Sequence, residues 1–151
     1  MSVRNILQLV LLPAVLPIAG CDAAYRYTPI TWAEQRQHRW SRDFDGFSLR
    51  IATLQGLVGE WWLYPTIEVF GNSESVTVQA VFLQTASGLH PGVIDSRATN
   101  IPRGGGVFVV RWDFGKDHPT PKVLGDRATI VLDIILGSQQ QVVRIEYNRI
   151  T

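Results

Sequence analysis

The chain has 151 residues, 46% of them hydrophobic, and a formal net charge of +1. This fits one ordinary domain and excludes a disordered or wholly membrane-embedded chain. Arg4 is the one charged residue before Cys21, so from Cys21 onward the basic side chains match the 13 acidic ones, and a neutral domain without basic runs has no field to draw it to nucleic acid.

The N-terminus has the layout of a signal peptide: Arg4, an apolar stretch from Ile6 to Ile18 broken only by Gln8, then the small residues Ala19 and Gly20 before Cys21. As a helix the stretch would span about 20 Å, short of the roughly 30 Å hydrocarbon core, so it is a poor permanent anchor. Pro13 and Pro17 weaken a continuous helix further. Cys21 is the only cysteine, so no internal disulfide is available.

Residues 16–21 read LPIAGC, and the run Ile18-Ala19-Gly20-Cys21 with Leu16 upstream resembles the lipobox of bacterial lipoproteins. The resemblance covers the leader alone. It implies that residues 1–20 are removed, that the Cys21 thiol receives a diacylglyceryl group, and that the new amino terminus is often acylated as well. Each buried CH₂ contributes about 0.8 kcal/mol, so two or three chains hold a soluble domain at a bilayer firmly. The same resemblance gives Asp22 a sorting role. It favours retention in the inner membrane facing the periplasm, with the outer membrane as the alternative.

The mature chain is expected in two parts. Residues 21–46 form a polar, arginine-rich membrane-proximal segment with Arg26, Arg36, Arg39 and Arg42 and the tryptophans Trp32 and Trp40. Periodicity leaves it open as a tether, a short helix or an edge strand. Arginine attracts anionic head groups and Trp favours the interface; the competing expectation is that the segment packs along the domain with its arginines in water.

Residues 47–151 form the domain itself. From Phe47 the hydrophobic period is two: Phe47, Leu49 and Ile51, then Ile67 and Val69. After the turn residues Gly71-Asn72-Ser73 come Val76, Val78, Ala80 and Phe82, then loops at Ser87-Gly88 and Pro91-Gly92. Phe108, Val110 and Trp112 precede the proline-rich KDHPTPK loop, followed by Ile130, Leu132, Ile134 and Leu136. Gly137-Ser138 then turns the chain into Val143, Ile145 and Tyr147. About seven short strands without a long helical period predict an all-β fold, an antiparallel β-sandwich of immunoglobulin-like or similar Greek-key type.

The motifs that carry chemistry elsewhere are incomplete here. Asp113-Phe114-Gly115 lacks every other kinase element and reads as a strand end entering a turn. Asp43-Phe44-Asp45-Gly46 has Leu54 where a calcium loop needs its bidentate Glu, so it reads as turn chemistry. Asp113, Asp117 and His118 match no closed zinc site, and His38 and His90 lie far off in sequence. Gly104-Gly105-Gly106 leads into a strand rather than a helix, which suits a tight entry better than a phosphate cradle. No cofactor or metal is expected. The enzyme alternative is a hydrolase with an unrecognised Ser–His–Asp set, but no G-x-S-x-G elbow supports it.

Trp61-Trp62-Leu63-Tyr64-Pro65 is the most informative stretch left. In an extended strand Trp61 and Leu63 point one way, Trp62 and Tyr64 the other. An exposed Trp/Tyr pair beside a strand edge suits a partner-protein hot spot or a sugar-stacking platform. The expectation is therefore a non-enzymatic, lipid-anchored sandwich acting through protein contacts at Trp62 and Tyr64 in an envelope complex. The alternative is a glycan- or small-ligand-binding module using the same aromatics.

Overall fold

Alternation of one buried and one outward side chain runs through the longer central strands of the protein. In β4 (Phe47–Ala52) Phe47, Leu49 and Ile51 are buried, and in β7 (Thr66–Gly71) Ile67 and Val69 are. A computed structural model describes residues 24–36, 38–72, 74–95 and 100–151. It forms an all-β sandwich of two antiparallel seven-stranded sheets. One sheet has the order β11-β8-β13-β14-β1-β5, with β9 also beside β8. It comprises β1 (Ala24–Pro29), β5 (Leu54–Leu57), β8 (Val76–Thr85), β9 (Gly88–Pro91), β11 (Asn100–Ile101), β13 (Arg127–Leu136) and β14 (Gln139–Arg149). The other has the order β10-β12-β7-β4-β3-β2, with β6 also beside β12. Its remaining members are β2 (Ala33–Glu34), β3 (Arg39–Phe44), β6 (Trp62–Leu63), β10 (Val93–Ile94) and β12 (Gly106–Asp113). The chain thus passes back and forth between the sheets, and both inner faces feed one core that includes Leu49, Ile67, Val110, Ile130, Leu132 and Ile145.

Fourteen strand segments exceed the expected seven, because the sequence signal sees long alternating runs and misses two-residue pairings. The larger difference lies before Phe47. Residues 24–29, 33–34 and 39–44 supply β1 to β3, so strand pairing is already present at Ala24, the first described residue. Tyr25 and Tyr27 are buried, with β1 hydrogen-bonded between β14 and β5. Trp32 is buried against Phe44, their ring centroids 6.2 Å apart, and Trp40 donates through Nε1 to Thr53 Oγ1 at 3.1 Å. Arg39 pairs with Glu68 at 3.1 Å, Arg42 lies over the Phe44 ring, and Arg26 bonds His38. The segment packs along the domain. Aromatic side chains contribute too much buried area to stay in a tether once strand partners are available.

β8 departs from simple alternation. Val76 and Val78 face inward as expected, but Val81 and Leu83 then take over from Ala80 and Phe82. Asp133 pairs with Ala80 and Ile134 with Val78, leaving Gln79 as the extra residue of a β-bulge. The neighbouring β13 keeps its phase throughout, with Ile130, Leu132 and Ile134 inward.

The turns behave as their residues suggest. Asp45-Gly46 closes the β3–β4 hairpin with Gly46 at φ 86°, where a Cβ would collide with Leu136. The Gly104–Gly106 run enters β12, and a Cβ at Gly105 would strike Phe70 and the Val69 carbonyl. The proline-rich loop holds the one helix among the described residues, α1 (Thr120–Leu124), with Pro121 in its first turn and Leu124 buried. No described helix is long and apolar enough to cross a membrane.

Candidate functional site

The expected contact residues lie where β6 meets β12. Trp112 pairs with Leu63 and Asp113 with Trp62, so β6 extends the line of β7 along the same strand. Pro65 interrupts the two. Its carbonyl still accepts from Val110 N at 3.1 Å, but its ring denies a donor to the ladder. β7 is paired on both sides, whereas β6 pairs with β12 alone.

Leu63 is buried, Trp62 half-buried, and Tyr64 48% exposed, so Tyr64 offers the larger free surface of the expected pair. Trp61 does not follow Leu63 inward. β6 begins only at Trp62, and the Trp61 and Trp62 rings meet edge to face with centroids 4.5 Å apart. The Lys116 ammonium lies 5.8 Å from the Trp61 ring centre, a contact worth about 0.5–1 kcal/mol when exposed.

The β12–α1 loop is stitched to this aromatic stretch by several hydrogen bonds. Phe114 N donates to Trp61 O at 2.8 Å, and Thr120 N donates to Glu60 O at 2.7 Å. Thr120, fully buried, also donates through its hydroxyl to Trp62 O at 2.9 Å. The backbone under Trp61 and Trp62 is therefore held on a fixed support. Tyr25 lies beneath it, and burial with the nearby Glu60 carboxylate pushes its phenol up to about 12.

Beside the aromatics opens a cavity of about 450 Å³ lined by Ser87, His90, Asp113, Asp117, His118 and Lys122, among others, with Phe114 in its wall. The His90 ring meets Phe114 edge to face, centroids 5.6 Å apart. His90 Nε2 lies 3.3 Å from both Ser87 Oγ and Thr85 Oγ1, which are 2.8 Å from each other. Among the described residues no carboxylate bonds His90, so this hydroxyl–imidazole pair lacks the orienting acid of a hydrolytic triad. Asp113, Asp117 and His118 share the cavity, yet no three such ligands among the described residues are close enough for a metal ion. The Asp113 carboxylate accepts from Gly115 N at 2.9 Å instead, which is the turn chemistry expected of Asp113-Phe114-Gly115.

His90 was not legible as part of this site from the sequence. The β8–β9 hairpin folds it back, and Trp112 Nε1 donates to His90 O at 2.9 Å. Ser87-Gly88 followed by alternating Leu89 and His90 was the one available signal. Cys21 and Asp22 lie outside the described residues. Compared with protein-family models, curated proteins and solved structures, the chain matches none.

Proposed function

We propose that this protein is a lipid-anchored lipoprotein of the bacterial cell envelope, attached through acylated Cys21 and facing the periplasm. It acts through protein contacts as an accessory or assembly component of an envelope complex. Asp22 favours the inner membrane as its residence. The observation that carries the reading is the LPIAGC sequence ending at Cys21, three residues before Ala24 of β1. A strand so close to the acylated residue holds the domain at the bilayer surface, where membrane-bound partners meet it. Tyr64, exposed beside half-buried Trp62 on a strand paired on one side only, is the contact surface we assign to such a partner. No metal, cofactor or reaction enters this reading.

The test is purification from gently solubilised membranes, comparing the natural chain with Cys21→Ala and Tyr64→Ala. The expected outcome is a stoichiometric companion that both substitutions remove, while Tyr64→Ala changes stability by less than about 0.5 kcal/mol. A solitary protein, or a companion indifferent to Tyr64, contradicts it.

The second reading, a glycan- or small-ligand-binding module, is favoured by the cavity of mixed polar and apolar lining next to the strand that pairs with Trp62. Quenched or shifted tryptophan fluorescence on titration with cell-wall sugars would support it over the first.

A further inference from the structure

The first described residue, Ala24, pairs with Leu57 across β1 and β5. The chain's last residue lies at the same end: Arg26 N donates to Thr151 O at 3.2 Å, and Ile150 N to Arg26 O at 2.9 Å. Leu57 ends β5 and Val58-Gly59 turns the chain toward Trp61, with Glu60 N donating to Leu57 O. Three large apolar side chains near Ala24 are in water here: Leu57 at 43%, Val58 at 37% and Ile150 at 50% exposure. Interior partners for them are lacking because the sheet ends there.

Cys21 is three residue steps from Ala24, a reach of at most about 11 Å when fully extended. The sandwich is much longer than that: the 11 residues of β14 extend about 36 Å. The far end, with the turns at Asp45-Gly46 and Gly137-Ser138, is thus beyond the reach of an anchor at Cys21. Only the end that carries Ala24 can meet the bilayer.

We propose that this end is a bilayer-contact surface, with Leu57, Val58 and Ile150 seated at the head-group boundary and Trp61 beside them. The inference rests on acylation of Cys21. The occupant is the lipid interface itself. Contact comes from apolar side chains; Arg26, Arg127 and Arg149 lie at this end with Lys116 and Lys122, against Glu60, Asp117 and Asp126, so anionic head groups add to it. The two-residue turn at Val58-Gly59 and the β12–α1 loop become the parts nearest the membrane, and the cavity lined by Asp117 and Lys122 opens near that surface.

The acylated full-length protein tests this directly. Once Cys21 is acylated, Val58→Cys or Ser138→Cys introduces the one free thiol for an environment-sensitive dye. Each labelled protein is reconstituted in vesicles of phosphatidylethanolamine and phosphatidylglycerol, with or without a phosphatidylcholine brominated in its acyl chains. The dye at position 58 is expected to be quenched by the brominated lipid and to lose severalfold of its iodide accessibility. The dye at position 138 is expected to stay iodide-accessible and unquenched by bromine. A dye at 58 as open to iodide as that at 138, in protein shown to be acylated and vesicle-bound, overturns this inference alone. So does shielding from iodide without bromine quenching, which signals contact between copies. Protein that carries no acyl group overturns the anchor and this inference together.

Discussion

Three tyrosines show how this fold uses a polar tip on an apolar body. Tyr25, Tyr27 and Tyr147 are each almost wholly buried, on neighbouring strands of one sheet. Tyr27 donates to Gly125 O at 2.5 Å, which ties β1 to the turn after α1 and satisfies a carbonyl at the end of a very short helix. Burial raises the phenol of all three above the ordinary value of 10.0, with Tyr25 reaching about 12. Above pH 10 the unfolded chain therefore releases phenolic protons that the folded chain retains. Stability is undiminished by these groups below pH 10 and declines as pH rises from there toward 12 for Tyr25. Denaturant midpoints measured across that range should fall above pH 10, and the fall should be shallower in Tyr25→Phe. A midpoint independent of pH up to 12 would show that these phenols ionise freely in the folded state.

At the scale of the element, alternation made most strands legible. Phe47, Leu49 and Ile51, or Val143, Ile145 and Tyr147, each had one inward phase and kept it. β8 did not, because a bulge is a property of the pairing and leaves little trace in one strand's residues. Gln79 is polar and outward, so the reversal from Val78 to Val81 hides behind a plausible alternating pattern. Deleting Gln79 makes Val78 and Ala80 consecutive, still opposite Ile134 and Asp133, so Val76, Val78, Val81 and Leu83 all keep their inward phase in a regular ladder. A loss of less than about 2 kcal/mol in chemical denaturation is expected, since no buried side chain changes face. A loss of about 2–5 kcal/mol would show that the strand slips its register instead. β6 was misread for a related reason. Alternation from Leu63 places Trp61 inward only if Trp61 is in the strand, and the pairing with β12 stops at Trp62.

For the whole molecule, the sandwich class was legible from strand spacing and turn chemistry, while the strands before Phe47 were not. The arginines and tryptophans of residues 26–42 look like an interfacial tether when read by composition. Their partners, Glu68, Phe44 and Thr53, are supplied by the fold. The cavity joining His90 to Asp117 and His118 was hidden in the same way, since it needs the β8–β9 hairpin and the β12–α1 loop together. The LPIAGC run differs, because its resemblance to a lipobox is local and needs no tertiary partner. The proposed envelope attachment therefore stands or falls on Cys21. The most direct measurement is the intact mass of the full-length protein extracted from bacterial membranes, with the N-terminus located by fragmentation. A mature chain beginning at Cys21 and carrying a diacylglyceryl group is expected, with a further acyl chain where the amino terminus is modified. A free Cys21 thiol, or a mature chain beginning elsewhere, would contradict it.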